Sequence, residues 1–142
     1  MKNAFGKLVI SLTLLVLPMT GFAGGGSEMA PAKYQDIQFN HINMREAETL
    51  VGKEGVHFFD VNTLELWAEG YIPGAIYFNV KDWKKLLPAD KDAVMVFYCA
   101  NRLCNASEIA ARAVMKLGYT GVRQMPEGIY GWRLSGRVTE KP

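Results

Sequence analysis

The segment Ala93–Tyr98 (AVMVFY) constrains the fold of this chain more than any other. It is continuously apolar, too short for a buried helix, and rich in β-branched and aromatic residues. Such a run reads as a strand buried on both faces, which places it inside a parallel sheet. A short loop separates it from Ala106–Leu117, where Ile109, Ala110, Ala113, Val114 and Leu117 fall on one helical face and Gly118 ends the pattern. Strand, tight loop and amphipathic helix in that order form half of a crossover unit, and such crossovers are right-handed.

The flanking sequence repeats the alternation. Asp36–His41 suits a short strand. Asn43 can cap a helix over Met44–Val51, with Glu46 in its first turn. Val56–Val61 (VHFFDV) is a second buried strand, and Leu64–Glu69 a short helix closed by Gly70. Pro73-Gly74 marks a turn before a strand over Ala75–Val80. Asp82–Leu87 is a helical turn ended by Pro88. Val122–Met125 is a last strand and Ile129–Leu134 a last helix. The fold class is therefore α/β, a central and mainly parallel sheet flanked by helices in three layers.

The N-terminus reads as an address. Lys2 and Lys7 precede an apolar run, Leu8–Leu17, broken only by Ser11 and Thr13. Pro18 follows, and then Gly21-Phe22-Ala23, with small residues at the two positions a signal peptidase reads. A membrane span needs about 20 apolar residues, more than this run supplies. Residues 1–23 are read as a signal peptide cut after Ala23, with no cysteine next to the cut for lipid attachment. Gly24–Ala32 (GGGSEMAPA) falls in a flexible linker over 24–33, and the folded domain takes 34–142. A periplasmic or secreted location is expected, with no membrane contact after cleavage. Loss of Lys2 and Lys7 removes the net charge of +2. A balanced charge argues against nucleic-acid binding, and 49% hydrophobic residues exclude a disordered chain. Two cysteines are too few for a disulfide scaffold. Nothing in a small neutral domain points to an oligomer, so a monomer is expected.

Ligands of open α/β sheets bind beyond the carboxyl ends of the strands. Cys99 stands at that end of the strongest strand. Ala100, Asn101, Arg102, Leu103 and Cys104 then lead to the helix, where Asn105 and Glu108 have the spacing of a capping box. A thiol facing a helix N-terminus meets unpaired amides and the positive end of the helix dipole. That setting lowers its pKa and favours the nucleophilic thiolate, or a persulfide anion. The same residue also fits a small buried cysteine closing a core strand. The residues alone leave both readings open.

Four stretches resemble the single-domain rhodaneses, the thiosulfate:acceptor sulfurtransferase family. They are FFDVNT (Phe58–Thr63), LWAEGYIPGAIYFN (Leu66–Asn79), VMVFYCANRLCNASEIAARAVMKLGY (Val94–Tyr119) and VRQMPEGIYGWRLSGRVTE (Val122–Glu140). The last resembles the terminal Gly-Gly-x-x-x-Trp unit, with Glu127 in place of its first glycine. The resemblance implies that Cys99 is the catalytic cysteine. It would take a sulfane sulfur as a persulfide from thiosulfate, polysulfide or another persulfide, and pass it to a thiol or cyanide. Ala100–Cys104 match the loop whose amides hold that sulfur. Asp60 matches an acidic position near the site, read here as a capping or ion-pair residue with a structural role. No cofactor and no metal are implied.

The departures carry information too. Cys104 stands where family loops often end in arginine, leaving Arg102 as the loop's cation and making the thiosulfate dianion a poorer donor. Tyr71 replaces a histidine. A related phosphatase class has arginine where Asn105 stands, and without that fork phosphate binding is disfavoured. Cys104 itself has three readings: a reversible disulfide or resolving partner for Cys99, a packed loop residue, or a metal ligand with Cys99, His41 and His57. That last set matches no zinc spacing, and the disulfide is preferred. Trp67, Trp132 and Tyr130 read as core or rim aromatics, and Lys81, Lys84 and Lys85 around Trp83 as a solvated face. Arg133 and Arg137 are assigned no role at the site. The chain is thus expected to be an exported sulfurtransferase using Cys99. A thiol–disulfide module using Cys99 and Cys104, or a binding domain without turnover, are the alternatives.

Overall fold

The computed structural model describes residues 39–142. The expected signal peptide, the linker and the first residues of the expected 36–41 strand lie outside the described residues. In the described part, α1 (Met44–Leu50), β1 (Val56–Asp60), α2 (Leu64–Glu69), β2 (Ile76–Tyr77), β3 (Val94–Tyr98), α3 (Ala106–Met115), β4 (Val122–Gln124) and α4 (Gly128–Leu134) follow one another, with a 3-10 turn at Trp83–Leu86. The sheet has the order β2-β1-β3-β4 and every pairing is parallel.

The apolar run takes the inner position its composition demands. β3 pairs along its whole length with β1, from Val56 beside Val94 to Asp60 beside Tyr98. Successive side chains of a strand point to opposite faces, so this one run feeds two cores. Phe58, Val96 and Tyr98 pack with Ile42, Ala47, Ile72, Met125, Ile129 and Trp132. Phe59, Met95 and Phe97 pack with Phe78, Ala111, Val114, Tyr119 and Val122. Cys99 continues the alternation on the second face, towards α3.

Several sequence expectations shift. The buried stripe of α3 is Ser107, Ala111 and Val114. Ile109 is 61% exposed and Leu117 40%, so the helix is turned by about one residue from the predicted face. Close approach to the sheet selects small residues at its contact positions, and Ser107 and Ala111 supply them. Asn105 does not cap this helix. Its backbone is already helical (φ −95°, ψ −2°) and its side chain makes no capping bond. A capping box needs an extended cap residue, and Glu108 instead pairs with Arg112 at 2.9 Å. Asn43 does cap α1, accepting from the Glu46 N–H at 3.0 Å. The strand expected over Ala75–Val80 shortens to β2, because Phe78 turns inward against Phe59, Phe97 and Trp83. Of the 36–41 strand, the described residues show a single parallel bridge from His41 to Gln124.

Gly128 joins α4 to the end of β3. Its φ of +63° is left-handed, and a Cβ there would run into the carbonyl oxygens of Cys99 and Ala100. Gly128→Ala should lower stability by more than about 1 kcal/mol and displace the loop after Cys99. Urea unfolding tests this, and a variant as stable as the parent would contradict it.

Candidate active site

Cys99 ends the central strand and is 1% exposed. Its carbonyl accepts from the Ile129 N–H at 2.8 Å, and that of Ala100 from the Tyr130 N–H at 3.0 Å. The first turn of α4 therefore satisfies both carbonyls. In a trans peptide the N–H opposes the C=O, so the N–H groups of Ala100 and Asn101 point away from α4 into the loop. They take no acceptor among the described residues. The Leu103 and Cys104 N–H groups are engaged, by the Asn101 side chain at 2.9 Å and its carbonyl at 3.0 Å. Of the loop's five amides, that of Arg102 likewise takes no acceptor among the described residues. Asn101 spends two of them holding the turn closed.

The structure places Cys99 and Cys104 in a disulfide with a Cα–Cα separation of 6.3 Å. The Ser107 hydroxyl donates to Cys99 Sγ at 3.3 Å, and Gln124 Nε2 donates to Ser107 Oγ at 3.1 Å. Both residues are buried. Because Gln124 takes a lone pair of Ser107, the hydroxyl proton is left for the sulfur. Cys99 Sγ also lies 3.2 Å from the Cys104 carbonyl oxygen, a bond that only the reduced thiol can donate. Sequence reasoning missed Ser107 and Gln124. The available signal was a serine at the first inward position of a helix that begins beside a nucleophile.

Arg102 and Leu103 form the outer wall of the loop, with Leu103 95% exposed. The Arg102 guanidinium forms an ion pair with the largely buried Glu127 carboxylate. Glu127 Oε2 has no hydrogen-bond partner among the described residues. Beside the loop lies a cavity of about 510 Å³, lined by His41, Asn43, Arg102, Cys104, Gln124 and Glu127 among others. Cys104 is half-buried and reaches this cavity; Cys99 is not among its lining residues.

Asp60 is fully buried at the end of β1 and pairs in register with Tyr98. It therefore shares Tyr98's face of the sheet, opposite Cys99. The Asn62 N–H donates to its Oδ1 at 2.8 Å, while Oδ2 has no partner among the described residues. Burial pushes its pKa above the ordinary carboxylate value. The Asn62 N–H and the nearby Tyr98 hydroxyl offset this in part. Tyr98 is driven well above its usual value, first by burial and then by the Asp60 charge, and its oxygen accepts from the Ile72 N–H at 3.1 Å. Asp60 caps its own loop but forms no ion pair among the described residues, where Arg133 goes to Glu69 at 3.0 Å.

Of the remaining residues weighed from the sequence, His41 lines the cavity beside Cys104 and Tyr130 meets the loop only through its backbone N–H. Among the described residues, no three His, Cys, Asp or Glu side chains gather as metal ligands. His41 packs edge-on against Phe39, and His57 stacks along Phe59. Tyr71 stacks on Trp67 with ring centroids 3.7 Å apart. Lys84 lies over Trp83, Lys85 pairs with Asp82, and Arg137 pairs with Glu48.

The family model of the rhodanese-like domain matches residues 43–135. Among solved structures, a protein of Bacillus halodurans is 27% identical, with a TM-score of 0.61 over 72% of this chain and 77% of its own. A rhodanese-related protein of Thermoplasma volcanium is 20% identical, with a TM-score of 0.59 over 73% and 100%. A Rhodopseudomonas palustris protein described as a possible tyrosine phosphatase is 22% identical, with a TM-score of 0.57 over 72% and 85%. No curated protein matches.

Between the ordinary carboxylate pKa and the raised pKa of Asp60, the folded chain binds more protons than the unfolded one. Stability contributed by Asp60 should therefore fall as pH rises through that window. Asp60→Asn keeps an acceptor for the Asn62 N–H and should flatten this slope. Unfolding midpoints measured across pH check it, and an unchanged slope in the variant would contradict it.

Proposed function

The chain belongs to the rhodanese-like domain family, and from that premise we propose that it is an exported sulfurtransferase carrying a sulfane sulfur on Cys99. One observation carries the reading. Cys99 Sγ sits at the end of the central strand, where it opens a loop whose Ala100, Asn101 and Arg102 N–H groups take no acceptor among the described residues, with a buried hydroxyl donating to it. A persulfide is an anion at neutral pH, and that arrangement stabilises negative charge on sulfur. The Ser107 hydroxyl meets Sγ itself, and the Ala100 and Asn101 N–H groups suit the outer sulfur.

The electrostatics bear on the donor. Glu127 neutralises Arg102, the loop's one cation, so a dianion such as thiosulfate gains little on approach. Polysulfides and organic persulfides, with less charge at the reacting end, suit the site better. A phosphatase reading lacks support: Asn105 stands at the arginine position, and Arg102 is already paired. Glu127→Gln keeps the side chain's size and removes its charge. Thiosulfate turnover should then rise, by up to roughly tenfold for one partly exposed charge, with a smaller change for polysulfide. Steady-state rates with both donors measure this, and equal responses would contradict it.

The disulfide favours a second reading, a thiol–disulfide module in which a partner thiol exchanges with Cys99 and Cys104. The readings separate by mutation. The chain recovered from the periplasm, with its mass starting at Gly24, should form thiocyanate from polysulfide and cyanide after reduction. Cys99→Ser should abolish this while circular dichroism stays unchanged, and Cys104→Ser should retain it. Full activity in Cys99→Ser would end the sulfurtransferase reading. Loss in Cys104→Ser alone would favour the redox one.

A further inference from the structure

The two sulfurs of the disulfide are not equivalent. Cys99 is almost fully buried and held on three sides: by its strand, by the Ile129 N–H on its carbonyl, and by Ser107 on Sγ. Cys104 is half-buried, sits on the exposed loop and lines the cavity. A reagent entering that cavity meets Cys104 and not Cys99. The better leaving group is Cys99, because the Ser107 hydroxyl and the N-terminus of α3 stabilise its thiolate, and a lower thiol pKa speeds departure. Attack and departure are thus assigned to different residues.

We propose that the oxidised chain carries its sulfur as a trisulfide bridging Cys99 and Cys104, with Cys104 as the entry sulfur. This rests on the reading that the site handles sulfane sulfur. The donor is a hydropersulfide, RSSH, reacting as RSS⁻. Its terminal sulfur bonds to Cys104 Sγ, the Cys99–Cys104 bond breaks, and the electron pair leaves on Cys99 Sγ. The Cys99 thiolate then attacks the sulfane sulfur held between Cys104 and the SR group. RS⁻ departs and takes up the proton that RSSH gave, and the sulfane sulfur now bridges the two cysteines. One disulfide and one RSSH become one trisulfide and one RSH, with no external oxidant or reductant. Cyanide reverses the loading. It bonds to the bridging sulfur and expels Cys99, whose thiolate then attacks Cys104 Sγ and releases thiocyanate with the disulfide re-formed.

The geometry admits the extra atom. The Cα–Cα separation of 6.3 Å is already towards the long end of the range for bridged cysteines, about 4.4–6.8 Å. Leu103 is 95% exposed and does not oppose a shift of the outer loop, while the Asn101 turn and the Arg102–Glu127 pair would have to move with it. The arrangement also gives a role to the second cysteine, since a bridging sulfur has no free persulfide end to be oxidised or lost to passing thiols.

The test uses the full chain without reductant, loaded with cysteine hydropersulfide, denatured in iodoacetamide and weighed intact. The expected product is one sulfur atom heavier and carries no alkyl group, and cyanide should return it to the disulfide mass with one thiocyanate per chain. Cys104→Ser should instead carry its sulfur as an alkylated persulfide on Cys99. A wild-type chain one sulfur heavier but doubly alkylated would overturn the trisulfide and leave the persulfide reading standing. So would loading seen only after prior reduction. A chain heavier by a whole cysteine would replace the trisulfide with simple thiol–disulfide exchange. No loading in either redox state would remove the sulfurtransferase reading itself.

Discussion

The contact on which the rest of the site depends is the docking of the first turn of α4 onto the end of β3. Two N–H groups, from Ile129 and Tyr130, take the carbonyls of Cys99 and Ala100. A helix N-terminus always presents unpaired donors, and here it spends two of them on the strand that carries the thiol. The consequence is directional. With both carbonyls drawn towards α4, the adjoining N–H groups face the other way, into the loop. The approach is close enough that only a residue without Cβ fits at Gly128. The electrostatics at Cys99 thus derive from a packing event between secondary elements.

The parallel sheet then separates two kinds of polar chemistry. Asp60 and Tyr98, neighbours in register, lie on one face, where burial raises both pKa values and ties them to the turns around Asn62 and Ile72. Cys99 lies on the other face with Ser107 and Gln124. A shift of one residue along β3 would exchange these environments. The full-length pairing of β1 with β3 therefore matters to the chemistry as much as to the core.

Much of this was legible in the sequence, for identifiable reasons. The AVMVFY run states an inner parallel strand without ambiguity, and Cys99 follows it directly. Leu64–Glu69 and its closing Gly70, and the Asn43 cap, are local signals that read locally. What could not be read depends on how elements meet. The inward face of α3 was misjudged because Ile109 and Leu117 outweigh Ser107 and Ala111 in hydrophobicity, whereas the sheet selects for small size. The Asn105 cap failed because the loop enters the helix already wound. Gln124 acts on Ser107 across two elements, and no spacing rule connects them. Arg102 is visible as a cation, but its neutralisation by Glu127 needs the fold.

That pairing links the departures from the family pattern to one another. In the family pattern that the sequence resembles, Glu127 takes the place of the first glycine and Cys104 that of a frequent arginine. Either change alone would leave a problem. A carboxylate at the loop without a cation would repel an anionic sulfur, and a second thiol in a strongly cationic loop would ionise and compete with Cys99. Together they convert an anion-binding rim into a locally neutral one with an accessible sulfur. The inner half of the site, with its free amides and the Ser107 hydroxyl, keeps its preference for negative charge. On the proposed sulfurtransferase reading, selection among donors falls to the outer half, where net charge counts against a reagent and a reactive sulfur end counts for it. On that reading the Arg102–Glu127 pair and Cys104 act together at the mouth of the site, and Cys99 and Ser107 act in its interior.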